Sequence, residues 1–219
     1  MTSSGAMWPR ELPMFPLGSV VLPGVALPLH VFEPRYRALV MTCLTSDRLF
    51  GSVLIERGSE VGGGDLRANS GTLVRIVDAE ENADGQWAIM VVGVERLRVV
   101  QWLEDDPFPR CVADVWPDED ADENTKSLLD RTLARTMVVA QRKGFLTDPA
   151  TPLQLDPNPH LASFQLTAIS PLGPLDRLAA LKATGPNQRL EFLLASLEEQ
   201  AAMLDALSAL DPHDSPGEI

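Results

Sequence analysis

The hydrophobic pattern of this chain changes period once. Between Glu11 and Glu119 apolar residues come in short runs, alternating with polar ones and bounded by proline and glycine; beyond that they recur at spacings of three and four. The first half therefore reads as strands and the second as helices. "ELPMFPL" predicts a short strand in which Pro13 and Pro16 mark an edge or a strand end, because proline donates no ladder hydrogen bond. "VALPLHVFE" places Val25, Leu27, Leu29 and Val31 on one face and Ala26, Pro28, His30 and Phe32 on the other. Glu33-Pro34 turns the chain. "RYRALVMTCLTS" continues as a short helix to about Thr45, with Pro34 suited to a first helical position.

"RLFGSVLIE" is the next strand, and "RGSEVGGGDLRANSG" is a polar, glycine-rich loop expected to be mobile. Asp84-Gly85 in "NADG" predicts a hairpin turn between "TLVRIVDAEE" and "QWAIMVVGVERLRVVQWLE". That second run is long for one strand. Gly93 marks a bulge or bend that lets it serve two edges of a closed or coiled sheet. "RCVADVWPDE" is the last strand. Apolar residues on both faces of these strands point to a small barrel, part of it covered by another element.

In the second half, "DEDADENTKSL" sets acids before and inside a helix start, where they suit the helix dipole. Leu129, Leu133, Met137 and Ala140 form one apolar stripe ending near Gly144. "LTDPATPLQLDPNP" is a proline-rich connector, and Asp156 or Asn158 caps a helix at "HLASFQLTAI". "SPLGPLDRLAALKAT" is a short helix stopped by Gly185-Pro186. A long final helix carries Leu190, Leu194, Leu197, Ala201 and Leu204 on one face. These stripes must bury against each other, against the barrel, or both. The expected class is α+β: a disordered N-terminus at 1–10, a β-rich barrel lobe at 11–117, a helical lobe at 118–209 and a frayed tail at 210–219.

Charge narrows the partners. The 219 residues carry a net charge of −13, with lysine only at 126, 143 and 182. Phosphate recognition needs a basic face, so nucleic acid and anionic membrane surfaces are disfavoured. Cys43 and Cys111 are too few and too distant for a disulfide framework or a zinc set, and read as buried, reduced thiols. "MTSSGAMWPR" lacks the apolar core of a secretory signal, and no apolar run approaches the ~18 residues of a membrane span. A cytoplasmic protein is the expectation.

The usual chemical motifs are missing. No Gly-Lys pair exists to build a Walker A loop, and "EVGGGD" has neither the lysine nor the following helix of a phosphate loop. There is no HExxH, CxxC or GxSxG. His30, His160 and His213 are scattered; His30, beside Pro28 and Phe32, reads as structural. The acid pairs sit in turns or at a helix start, as solvated caps. Trp87 and Trp116 lie in strands and read as core, whereas Trp8 precedes the first strand and reads as exposed, a candidate for peptide capture. No catalytic residue, cofactor or metal is expected.

Three blocks nevertheless resemble one family. "LPMFPLGSVVLPGVALPLHVFEPRYRALV" resembles the opening of the N-terminal domain of the ATP-dependent protease Lon, matching at Leu12, Pro13, Pro16, Leu17, Val20, Val21, Pro23, Pro28 and Leu29. "GTLVRIVDAEENADGQWAIMVVGVERLRV" resembles the family's hairpin block at Gly71, Gly85, Gly93, Arg96 and Val99. The helical half resembles its end at Arg189, Leu190 and Leu194, so the likeness runs from about residue 11 to 204. It implies a PUA-like pseudo-barrel followed by a helical bundle. Lon proteases continue into an ATPase module and a Ser-Lys peptidase. Neither has a motif here, which implies a free-standing, non-catalytic N-domain protein.

The resemblance implies recognition of protein or peptide segments, as an adaptor or scavenger, in an apolar cleft such as one between barrel and bundle. Phe32 and Tyr36, with Arg35 near the rim, are the candidate peptide-binding residues by position; Phe32 and Tyr36 read equally as core. Two alternatives stand beside this. One is RNA binding by the barrel, which needs a contiguous patch such as Arg96, Arg98 and Arg110. The other is a hydrolase with an unrecognised site. The oligomeric state is open between monomer and dimer.

Overall fold

The structure, a computed structural model, describes residues 7–57, 66–145 and 154–210. In chain order these form β1 (Arg10–Leu17), β2 (Ala26–Val31), α1 (Pro34–Leu44), β3 (Leu49–Arg57), β4 (Leu66–Glu81), β5 (Trp87–Trp102), β6 (Arg110–Val115), α2 (Thr125–Arg142), α3 (Pro159–Ile169), α4 (Pro174–Lys182) and α5 (Pro186–Leu210). Residues 1–6 of the disordered start expected at 1–10, most of the expected frayed tail and much of the two expected loops lie outside the described residues; the end of that start is ordered, with Trp8 packed on the barrel and Arg10 opening β1. The part of the first loop that is described is strand: Leu66–Gly71 opens β4, with Ala68 and Ser70 buried. Its Asn, Ser and Gly read as turn residues in isolation, but Gly71 lies opposite Val53 of β3, where a Cβ would stand 2.0 Å from the Ser52 carbonyl.

The sheet runs β2-β5-β4-β3-β1-β6, and β6 pairs again with β5, which closes a barrel. β5 makes the closure possible. One of its edges lies along β4. On the other, β2 takes Trp87–Val92 and β6 takes Leu97–Trp102. Gly93 sits at the changeover, where the chain enters β2: Gly24 N–H donates to the Gly93 carbonyl and Gly93 N–H to the Val25 carbonyl. The β4 register skips a residue there, the expected bulge. The predicted hairpin turn closes with Asn82 N–H on the Gln86 carbonyl, and Gly85 takes a φ of 75° that glycine adopts freely.

Proline sets how β1 is paired. The expectation of an edge strand is corrected, since β1 lies between β6 and β3. Yet Arg10–Pro13 pair only with β6 and Met14–Leu17 only with β3. Each half keeps one open edge, so neither proline interrupts a ladder.

Both faces of the sheet are buried. Leu12, Met14, Leu49, Val53, Leu73, Leu97, Cys111 and Ala113 form one apolar cluster. Phe15, Leu17, Phe50, Val74, Ile76, Ile89 and Val91 form a second with Tyr36, Leu39, Val40 and Cys43 of α1. Helix α1 is thus the element that covers part of the barrel. Both thiols are free and buried, and burial pushes each from the ordinary 9.0 up to about 12. Neither should react with an alkylating reagent in the native protein at pH 8, and both should react in urea. Linkage gives the sign: the unfolded thiols ionise first, so stability is full below about pH 9 and falls as pH rises toward 12.

The chain divides into two units. One comprises residues up to Glu119 together with Leu172–Ala183; the other comprises Asp120–Pro171 and the residues from Thr184 on. A single break near residue 118 therefore does not describe the division, because the segment containing α4 belongs with the strands. Buried Arg96 on β5 explains why. Its Nη1 donates to the carbonyls of Leu181 (2.9 Å) and Ala183 (2.5 Å), its Nε to that of Trp116 (3.1 Å) and its Nη2 to that of Pro117 (3.0 Å), with Asp118 Oδ1 at 2.5 Å from Nη2. All five guanidinium hydrogens are used.

In the helical unit, α2 and α5 run side by side in the same direction: Thr132 hydroxyl donates to the Leu190 carbonyl, and farther along Arg142 meets Asp205. The buried face of α2 is Thr125, Leu128, Thr132, Thr136, Val139 and Ala140, which corrects the expected leucine stripe; Leu129, Leu133 and Met137 are half-buried. Threonine is tolerated because its hydroxyls are bonded, Thr125 to Asn187 and Thr136 to Ser170. On α5 the buried leucine and alanine positions are Leu190, Leu193, Leu197 and Ala201, with Leu193 in the place expected for Leu194. The first turn of α2 holds no acid; Asp122 precedes it, and bonding to Asn187 and the Asn124 N–H holds its carboxyl below the usual value. Asn158 is the cap of α3, accepting from His160 N–H. Buried Arg189 donates to Ser163 Oγ at 2.7 Å and lies 3.5 Å from the Phe164 ring centre. Among the described residues no helix is long and apolar enough to cross a membrane.

Candidate functional site

The three candidate residues fall in one place, and the structure gives them different environments. Phe32 follows β2 and is 50% exposed, whereas Tyr36, in the first turn of α1, is 3% exposed. The Tyr36 ring stacks on Phe15 of β1 with centroids 4.2 Å apart, and Phe15 in turn meets Phe50. Arg35 lies between these extremes. Its guanidinium sits 4.6 Å from the Tyr36 ring centre and 3.2 Å from Glu33. The Glu33-Pro34 turn is what brings them together: Pro34 starts the helix, and the Glu33 carbonyl receives the N–H groups of Tyr36 and Arg37.

Between β1 and β2 the wall holds a cavity of about 220 Å³, lined by Phe15, Leu17, Pro28–Glu33 and Tyr36. It lies wholly in the strand unit rather than between barrel and bundle. Phe32 stands at its margin beside His30, ring centroids 6.1 Å apart. The volume is below the roughly 300–1,000 Å³ of small-molecule sites and suits a side chain better than a cofactor. The lining offers no serine, threonine or cysteine, so no nucleophile stands beside His30 or Glu33. Among the described residues no cluster of His, Cys, Asp or Glu is arranged to hold a metal ion. A second depression, at Leu66, Arg67, Asn69 and Trp102, has its arginine already engaged by Asp105 at 2.8 Å.

The arginines needed for an RNA surface do not form a patch. Arg96 is buried, Arg98 lies 4.6 Å from the ring centre of Trp116, and Arg110 is paired with Glu11 at 3.0 Å. Trp116 is half-buried, with Arg96 at 4.5 Å as well, so it is a platform for two guanidiniums rather than a core residue. Trp87 is also only half-buried. Trp8 is not freely exposed, since it packs on the barrel cluster with Arg10 over its ring. The sequence reading missed the outward apolar row on this side, Pro28 on β2 opposite exposed Met90 on β5. The alternation of β2 was the available signal.

Relatives with known names agree with this architecture. A crystal structure of a Lon N-terminal domain protein from Xanthomonas campestris superposes with a TM-score of 0.62 at 29% identity, over 85% of this chain and 98% of that one. The N-terminal domain of Mycobacterium avium complex Lon protease gives 0.62 at 18% identity and shares the fold. Lon protease 2 of Myxococcus xanthus is 32% identical over 121 residues, 54% of this chain. Lon protease of Escherichia coli (strain K12) is 24% identical over 204 residues, 89% of this chain. The chain spans only 14% and 25% of the lengths of those two proteases. The model of the ATP-dependent protease La (LON) substrate-binding domain matches residues 11–199, and the chain belongs to that family.

Proposed function

We propose that this chain is a non-catalytic recognition module that binds polypeptide segments in the cleft between β1 and β2. Phe32 is the exposed anchor, Tyr36 the floor, and Arg35 orders the rim. The observation that carries this reading is a half-exposed aromatic at the mouth of an apolar, side-chain-sized cavity, in a chain whose family is described as substrate-binding. Aromatic anchors beside a preformed pocket dominate the energetics of such contacts. Family membership supports protein segments as the ligand. The dispersal of Arg96, Arg98 and Arg110 speaks against RNA, and the lining of the cleft supports a non-catalytic role.

The test is fluorescence anisotropy with a labelled, permanently unfolded polypeptide such as reduced and carboxymethylated lactalbumin. Phe32→Asp is expected to weaken binding by about thirtyfold, the scale of a hot-spot residue of about 2 kcal/mol. Phe32→Trp should retain it. Because Phe32 is exposed, both variants should keep the wild-type unfolding midpoint. Equal binding by wild type and Phe32→Asp would remove the cleft from consideration.

A further inference from the structure

The way β2 is paired says how a polypeptide would enter. Gly93 N–H donates to the Val25 carbonyl, so Val25, and at two-residue steps Leu27, Leu29 and Val31, turn their backbone groups toward β5. Ala26, Pro28 and His30 form the alternate set and turn theirs away. Pro28 agrees with this parity, since it has no N–H to give β5. Among the described residues no strand pairs with that outer edge. The facing wall is apolar: β1 contributes Phe15 and Leu17 to the cavity lining.

Where it borders the cavity, the β2 edge therefore turns mostly acceptors outward: the carbonyls of Pro28 and His30 against the one N–H of His30. This edge presents the negative ends of carbonyl dipoles beside an apolar wall, and the complementary occupant is one that donates from its backbone and carries an apolar side chain. Building on the proposed polypeptide binding, we infer that the occupant is an extended segment of another protein, added as a strand along the outer edge of β2 at Pro28–His30. Its N–H groups bond to the Pro28 and His30 carbonyls, its carbonyl accepts from His30 N–H, and one apolar side chain enters the cavity over Tyr36. Pro28 limits the ladder on one side, so the added strand is short and its side chain carries much of the selectivity. A second copy fits less well. Two-fold pairing of β2 with itself would set Pro28 of each copy in the ladder and lose a donor on both strands.

The probe is a fluorescein-labelled peptide of alternating leucine and serine, with two derivatives N-methylated at all leucines or at all serines. In an added strand the N–H groups of only one set face β2. One derivative is thus expected to bind the wild-type protein at least tenfold more weakly than the other. His30→Pro, which removes the outward N–H as Pro28 already does, should weaken the unmethylated peptide about tenfold, and His30→Ala should not. Amide exchange supplies a readout independent of affinity: peptide should slow exchange at His30 and leave Leu29 and Val31 unchanged. Binding that depends on Phe32 but treats the two methylated peptides alike, with no protection at His30, would overturn strand addition and leave polypeptide binding standing. Failure of any peptide to bind, with no effect of Phe32→Asp, would overturn both. A dimer in sedimentation that His30→Pro dissociates, and that peptide does not, would assign the edge to a second copy and overturn the proposal.

Discussion

Arg96→Met is expected to lower the unfolding free energy by about 3–5 kcal/mol, the cost of breaking a buried ion pair by removing one partner. The substitution leaves the Asp118 carboxylate, 8% exposed, without its cation, and it strands four carbonyls from two separated stretches of chain. Trp116 also loses one of the two guanidiniums stacked on it. Arg96→Lys should recover little, since an ammonium has three donors in a different geometry where the guanidinium has five in a fixed fork. Asp118→Asn should cost less than either, because the carbonyl ligands remain. Urea unfolding followed by circular dichroism measures all three, with an unchanged slope indicating that stability alone has moved. A loss of under 1 kcal/mol for Arg96→Met, below the usual net worth of even one or two hydrogen bonds, would show that the site is solvated.

Gly93→Ala is the second large effect, and the expected cost is about 3 kcal/mol, at the upper end of overpacking changes. A Cβ at this position would stand 2.2 Å from the Leu22 carbonyl oxygen and 3.1 Å from the Pro23 Cα. These are backbone atoms on the segment that delivers β2 to its place beside β5, so relief requires moving the strand. Two hydrogen bonds converge on Gly93, from Gly24 and to Val25, and would be displaced together. Because β2 borders the proposed cleft, Gly93→Ala should weaken polypeptide binding as well as stability, whereas Phe32→Asp should weaken binding alone. Comparing the unfolding midpoints of the two variants with their anisotropy titrations separates these effects. A Gly93→Ala protein as stable as wild type would mean that the contact with Leu22 is looser than the structure places it.

The strands were legible because each has its own punctuation. Pro34 starts α1, Gly85 closes the hairpin and Gly93 marks the point where β5 changes partners. What the chain conceals is anything decided by distant pairing. Pro13 and Pro16 suggest an edge, and only the register shows one strand with a different neighbour on each half. Leu66–Gly71 reads as loop until Gly71 is seen against Ser52. The helix stripes slipped by one position for a similar reason. Thr132 and Thr136 count as polar in a periodicity, yet Leu190 and Ser170 satisfy their hydroxyls and bury them. Position along the chain nominates Phe32, Arg35 and Tyr36 as candidates, but that Tyr36 is buried while Phe32 is exposed depends on Phe15, from a different strand. Arg96 and Arg189 illustrate the same limit. Arg96 reads as part of a possible RNA patch and Arg189 only as a matching residue, yet both are buried cations that hold backbone and rings in place.

The division of the chain bears on how it can be dissected and how it emerges from synthesis. Neither unit is one uninterrupted stretch: the strand unit is completed by Leu172–Ala183, after α2 and α3 have been made, and the helical unit resumes only at Thr184. No single cut yields two whole parts. A fragment ending at Glu119 would retain every strand and both prolines of β1, yet Arg96 would lack the acceptors supplied by Leu181 and Ala183. A nascent chain of that length would meet the same shortfall, so the last acceptors for the barrel's buried arginine wait for some sixty further residues of translation.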